Sequence, residues 1–361
     1  MTEDLLSEHA SILSAELVDT IRRMGIDSRY ITFSNAPAFL TGRERTMVLD
    51  GTATTLAVTA LRRCLESAPT GRGELGLLIG VTNTQARLLP GLAPEMVAEA
   101  ADLLPSSVLA VNMQGQGCSA MQKAVEVAGW YLACNPDKLV AVVASEANSV
   151  YAPRVDQEHY ASFREIGEGH IGGDWMAELQ KTGAMLQNFL FGDGASCLLL
   201  GCEETATEFG AMRHLTNLQP DDQELVRIDG GGSLAPQVGA DGRPSFFMEP
   251  ATLLSGPSYV VGVAQELVTG GLLDGRALDE LSPLLMHTGS RKLLDAVCRE
   301  LGIPRESAAV RPAYDTLRKY GNLSSASIGF MLSEGRFEPG VGLMAGFGGG
   351  FSATAGVLRF H

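Results

Sequence analysis

Short apolar runs separated by helix-patterned stretches recur along most of this chain, and that alternation restricts its fold more than any other feature. "LGLLIGVTN" at 75–83, "SVLAVNM" at 107–113, "LVAVVAS" at 139–145 and "ASCLLLG" at 195–201 are short and almost uniformly apolar. They read as buried strands, and the links between them predict βαβ units around a largely parallel sheet. One link, 120–133, carries Met121, Ala124, Val125, Ala128 and Leu132 on one helical face. A second series follows: "LSPLLM" at 281–286, a helix near 289–301 bearing Leu293, Leu294, Val297 and Leu301, another near 323–333, and paired strands near 341–346 and 352–359. Two α/β halves of similar size are expected, 1–204 and 205–361, joined where "EETATEFG" at 203–210 breaks the apolar pattern. Within the first half, 151–188 turns polar and shows no clear strand, which marks a long excursion from the core.

Composition narrows the function. At 361 residues and 45% hydrophobic, the chain can bury a core of enzyme size. A net charge of −15 argues against nucleic acid or an anionic membrane as partner, because phosphates would be repelled. No run of about 18 apolar residues occurs, and the start "MTEDLLSEHASILSAELVDTIRRMG" is acidic and amphipathic, unlike a signal peptide. A cytoplasmic protein without membrane insertion is expected. Cys64, Cys118, Cys134, Cys197, Cys202 and Cys298 form no C-x-x-C pair and no histidine-rich cluster. That pattern indicates neither a zinc site nor a disulfide framework, and no metal is expected.

Three turns carry polar side chains at positions where open α/β sheets place their chemistry. In "NMQGQGCSAMQKAVEVAGW" at 112–130, glycines flank Cys118 and a helix follows at once. The glycines permit a sharp turn and close approach of another backbone. The helix N-terminus favours a thiolate, although a buried core thiol would produce the same local pattern. In "LLMHTGSRKLLDAV", His287 follows a buried strand and precedes a helix. In "LRKYGNLSSASIGFML", Asn322 follows Gly321 just before another helix. A satisfied histidine and an asparagine N-cap would explain these two singly. Three polar groups at three similar turns point to one site.

With those motifs in this order, the chain resembles the thiolase-fold condensing enzymes, specifically the branch of ketoacyl-acyl-carrier-protein synthase III, type III polyketide synthases and ketoacyl-CoA synthases. The resemblance spans roughly 20–360. "GQGCSA" resembles the nucleophile turn, "NFLFGDGASCLLLG" the strand closing the first half, "HTGSRKLLDAV" the histidine turn, "YGNLSSASI" the asparagine turn, and "GFGGGFSATAGVLRF" the glycine-rich terminal hairpin. It implies a duplicated five-layer αβαβα fold, usually a homodimer. It also implies Cys118 as the acylated nucleophile, with His287 and Asn322 stabilising the enolate left when a malonyl-type thioester loses CO₂. The backbone N–H groups of Cys118 and Gly349 would serve the oxyanion of the attack, and Gly346, Gly348 and Phe191 would line the substrate. Implied substrates are acyl thioesters on coenzyme A or acyl carrier protein. No cofactor is implied beyond the coenzyme A or phosphopantetheine of the substrate itself.

Absences sharpen the resemblance. A thiolase would place a second cysteine in the terminal glycine loop, where this chain has Ser352 and Ala355, and chain-elongating synthases would carry histidine in place of Asn322. Decarboxylative Claisen condensation is thus the leading expectation. Two others are acyl transfer from a carrier to an alcohol or amine, and a non-catalytic subunit that shapes another synthase's pocket; the joint retention of Cys118, His287 and Asn322 opposes the last. Two features depart from the family: no clear strand precedes "MGIDSRYI", and the 151–188 excursion is long. Its Met176, Met185, Leu186 and Phe189 would either cap an acyl tunnel or anchor the loop. Arg291 and Lys292 after the histidine turn, and Arg311, Arg318 and Lys319 before the asparagine turn, are candidates to meet substrate phosphates.

Overall fold

A computed structural model describes residues 2–361 except 41, 69–72, 164–174, 204, 234–243 and 250. Helices α1 (Thr2–Glu8), α2 (Ala15–Met24), α3 (Ala36–Leu40) and α4 (Ala53–Ser67) come first. They are followed by β1 (Leu75–Thr82), α5 (Leu92–Glu99), β2 (Leu109–Gln114), α6 (Ala120–Cys134) and β3 (Leu139–Glu146). Helices α7 (Gln157–Ser162) and α8 (Trp175–Leu190) then lead to β4 (Gly194–Leu200). The second series is β5 (Thr207–Thr216), a hairpin of β6 (Val226–Asp229) and β7 (Ser245–Met248), α9 (Thr252–Thr269) and β8 (Leu284–Met286). It ends with α10 (Arg291–Glu300), α11 (Arg311–Tyr320), α12 (Ser327–Glu334), β9 (Gly340–Gly348) and β10 (Ser352–Phe360).

One sheet has the order β2-β1-β3-β4 and the other β5-β10-β9-β8. In the first, β1 runs parallel to β2 and β3 while β4 is antiparallel to β3. In the second, β9 and β10 form the expected hairpin and β8 is parallel to β9, but β5 adds a second antiparallel pair, so this sheet is not largely parallel as expected. Connection length explains the hairpin: β9 and β10 are joined directly by a tight turn, which forces an antiparallel pair, whereas parallel neighbours need a crossover.

The layers follow from the helix contacts. Helices α4 and α5 cover one face of the first sheet, α6 and α12 lie between the sheets, and α9 covers the far face of the second. Strands β1 and β3 are therefore covered on both faces, which is why their sequences are apolar without alternation. Ala120, Ala124 and Ala128 recur every fourth residue on α6 and are fully buried, so this helix can pass closely between two sheets.

The 151–188 excursion contains α7 and most of α8. Met185 and Phe189 pack with Leu6, Leu13, Leu17, Ile21 and Tyr160 in a separate core, with Leu186 against its edge. These three anchor α8 to the N-terminal helices, which decides between the two roles expected for them. The side chain of Met176 lies outside the described residues.

Candidate active site

The nucleophile turn is built by backbone that only glycine accepts. Gly115 and Gly117 carry φ of +65° and +67° between β2 and α6. A Cβ on Gly117 would overlap the Gly348–Gly349 backbone, and one on Gly348 would overlap the Cys118 nitrogen. The nucleophile turn and the β9–β10 hairpin therefore touch main chain to main chain, which brings Gly349 beside Cys118. Asn83, just past β1, holds the turn from below: its Oδ1 accepts from the Gly117 N–H at 2.9 Å and its Nδ2 donates to the Gly117 carbonyl at 3.2 Å.

His287 follows β8, and its N–H donates to the Ala345 carbonyl of β9 at 2.8 Å. Its ring is buried, packs edge-on to Phe347 with centroids 6.1 Å apart, and has Nδ1 3.4 Å from Ser327 Oγ. Burial lowers its pKa to about 4 despite a hydrogen bond to the Ser324 carbonyl, so the imidazole is neutral at physiological pH. Asn322 is buried as well. Its Nδ2 donates to the Gly289 carbonyl at 3.1 Å and its Oδ1 accepts from the Ser324 N–H at 2.8 Å.

Ser324 links all three sequence-predicted residues. Its Oγ lies 3.3 Å from Cys118 Sγ, its N–H is held by Asn322, and its carbonyl receives the His287 ring. It does so at φ +51°, a left-handed conformation uncommon for a residue other than glycine.

Two effects meet at the thiol. Cys118 is half-buried, and desolvation raises its pKa to about 12; the Ser324 contact lowers it and the charge of Glu146 raises it further. Removal of the sulfur from water thus opposes the thiolate that the helix N-terminus favours. Glu146, at the end of β3, is fully buried and accepts from the Asn83 N–H at 3.0 Å, Asn83 Nδ2 at 2.8 Å, Thr84 Oγ1 at 2.8 Å and Ser325 Oγ. Burial raises its pKa against those bonds.

Phe191 forms a backbone bridge with Asn322 and stacks on Phe246 of β7 with centroids 5.1 Å apart. A Cβ on Gly346 would lie 3.3 Å from that of His287 and 2.8 Å from Gln122 Nε2, which puts Gly346 between the histidine turn and α6. The cations fare differently. Arg318 pairs with Asp27 and Asp315, each at 3.2 Å, and Lys319 pairs with Glu334 at 3.0 Å. Both charges are already answered by carboxylates, which counts against the phosphate-docking expectation for them. Arg291 lies against Gly25 at the end of α2, and Lys292 is exposed.

Sequence reasoning missed Ser324, Asn83, Glu146 and Phe246. Asn83 and Glu146 each end an apolar strand run at its carboxyl end, a signal that could have found them. Nothing local distinguishes Ser324 from its neighbours in "NLSSAS". Among the described residues no group of histidine, cysteine and carboxylate side chains could hold a metal ion, and no helix is long and apolar enough to cross a membrane.

Comparison with known proteins finds similar chains. Residues 274–360 match the family described as 3-oxoacyl-acyl-carrier-protein (ACP) synthase III C terminal. The chain is 27% identical over 348 residues to a 3,5-dihydroxyphenylacetyl-CoA synthase of Streptomyces toyocaensis, covering 93% of this chain and 77% of that one. It is 27% identical over 320 residues to a beta-ketoacyl-acyl-carrier-protein synthase III of Sphingopyxis alaskensis, covering 86% and 84%. In structure it is similar to the C-terminal type III polyketide synthase domain of the Dictyostelium type I/III hybrid Steely1, with TM-score 0.72, 18% identity and coverage of 99% and 94%.

Proposed function

Taking the chain as what its sequence and fold make it, a thiolase-fold condensing enzyme of the synthase III and type III polyketide synthase branch, we propose that it joins an acyl group held on Cys118 to a malonyl-type thioester by decarboxylative Claisen condensation. The observation that carries this reading is the convergence on Ser324, which ties a thiol, an imidazole and a carboxamide from three separate turns, at 118, 287 and 322, into one cluster.

The chemistry suits these groups. Cys118 Sγ attacks the thioester carbonyl, a new C–S bond forms, and the carrier thiol leaves with the proton that Cys118 gives up. Burial works against the thiolate, so the proton of Cys118 must move during the attack, and in this reading the buried neutral His287 accepts it as substrate enters. The extender then breaks its C–C bond to release CO₂, and the electron pair remains on an enolate. His287 and Asn322 supply hydrogen-bond donors to its oxygen. The enolate carbon attacks acyl-Cys118, the backbone N–H groups of Cys118 and Gly349 hold the developing oxyanion, and the C–S bond breaks to release the Cys118 thiolate, which takes a proton from solvent to restore the thiol. Phe191 and Phe246 form an apolar wall in which a carboxylate loses hydration, favouring loss of CO₂.

Coenzyme A or a phosphopantetheinyl carrier protein would deliver both thioesters. A homodimer formed along the open edge of β2 is part of the same proposal, since Leu109 and Val111 stand 54% and 36% exposed on that strand. The test is intact-protein mass spectrometry with a panel of acyl thioesters, with and without a malonyl thioester. An acyl adduct on Cys118 that is discharged with CO₂ release when the malonyl thioester is added supports condensation. Discharge to an alcohol or amine without CO₂ would replace it with simple acyl transfer.

A further inference from the structure

Lys123, in the first turns of α6 after Cys118, has no part in the chemistry above. It is half-buried, and burial lowers its pKa from the usual lysine range. A cation drawn out of water ordinarily answers a carboxylate. Glu126, three residues on along the same helix, is placed to be that partner, but it is held by His214 of β5. Among the described residues Lys123 forms no ion pair. Its Nζ donates instead to two neutral acceptors, Ser352 Oγ at 2.8 Å and Gln116 Oε1 at 3.4 Å.

Those acceptors stand on the two segments that would form the oxyanion pocket. Gln116 directly precedes Gly117 and Cys118 in the nucleophile turn. Ser352 is buried, opens β10 and pairs with Gly348 across the ladder, so these two residues close the turn that carries Gly349. Where the segments meet, Gly117, Gly348 and Gly349 offer no side chain to hold them in register, and glycine backbone is the freest to move. An N–H displaced by about 1 Å no longer meets its oxyanion well. Asn83 steadies the nucleophile turn from below through Gly117, whereas Lys123 reaches that turn and the hairpin together.

We propose that Lys123 is a positioning residue for the condensation: it clamps the β9–β10 hairpin to the nucleophile turn and so keeps the N–H groups of Cys118 and Gly349 aimed at one point, where the oxyanions of acylation and of carbon–carbon bond formation develop. Lys123 has this role only if Cys118 carries the acyl group as proposed above. The residue type suits the task. An ammonium has three N–H donors on a long arm and can serve two acceptors at once, and no carboxylate draws it elsewhere. Arginine can also reach two acceptors, whereas methionine keeps the length and the helix but has no donor.

The experiment compares the full chain with Lys123→Met and Lys123→Arg by two readouts. The first is the rate at which Cys118 takes an acyl group from a thioester, followed by intact-protein mass spectrometry over a range of substrate concentrations. Lys123→Met should load about 10²-fold more slowly at saturation with the half-saturating concentration little changed, because the donors act on the transition state, and Lys123→Arg should recover most of that loss. The second is amide hydrogen exchange without substrate, in which 113–118 and 347–352 should exchange about tenfold faster in Lys123→Met and return towards wild type in Lys123→Arg. Wild-type loading in Lys123→Met, a loss confined to the half-saturating concentration, unchanged exchange in both segments, or no recovery in Lys123→Arg would each overturn the positioning role while leaving Cys118 as the nucleophile. A wild type that takes no acyl group from any thioester would overturn the condensing role, and the positioning role with it.

Discussion

Ser324 sets the geometry that the reaction would use, because it touches the thiol with its side chain and the two helpers with its backbone. Its contact lowers the Cys118 pKa against burial, so Ser324→Ala should slow alkylation of Cys118 by iodoacetamide several-fold at fixed pH, read by mass spectrometry, with backbone contacts intact. Cys118→Ala should abolish the acyl adduct; persistent loading of that variant would disprove the assigned nucleophile. His287→Ala and Asn322→Ala should still load but release CO₂ from the extender about 10²-fold more slowly, the scale for loss of one oxyanion donor. His287 also makes a pH prediction. Its folded pKa of about 4 lies below the 6.5 of a free histidine, so as pH falls below 6.5 the unfolded chain binds the proton first and stability is lost until about pH 4. Denaturant melts of wild type and His287→Gln at pH 7 and pH 5 should therefore show a larger acid loss in the wild type.

At the scale of elements, the decisive contact is between a turn and a hairpin. Gly348→Ala places a Cβ on the Cys118 nitrogen, so either the hairpin or the nucleophile turn must shift. Acylation should fall by about 10²-fold while the circular dichroism spectrum is retained, since a misplacement of order 1 Å is enough to cost that much. The apolar strand runs and helix faces were readable one element at a time, because each depends on short-range periodicity. The terminal hairpin was readable in the same way, whereas the antiparallel pairing of β5 with β10 was not, since it depends on which distant strands become neighbours.

For the whole molecule, the surface charge and the open β2 edge make separable predictions. The proposed homodimer should elute with twice the 38.2 kDa chain mass, and Val111→Lys, which puts a charge on that edge, should elute as one chain with its fold intact. Elution of the variant as a dimer would exclude the β2 edge. Arg318 and Lys319, beside the asparagine turn, face Asp27, Asp315 and Glu334, and the chain as a whole carries a net charge of −15. The Michaelis constant for a coenzyme A thioester should consequently fall as salt screens the repulsion, and a rise would point to a cationic docking patch.

The sequence by itself determined the strand runs, the helix faces and the three turns bearing Cys118, His287 and Asn322, because each is written in a window of a dozen residues or fewer. Only the tertiary structure decided what those residues experience. Cys118 and Ser324 are 206 positions apart, and Asn83, Glu146 and the Gly348–Gly349 hairpin reach the same turn from other strands. A helix N-terminus is visible in sequence, whereas desolvation of the thiol, which opposes it, is a sum over neighbours brought in by folding. Likewise a run of basic residues is local, but the carboxylates that neutralise Arg318 and Lys319 come from α11 itself, α12 and the loop after α2, and only packing brings those segments together.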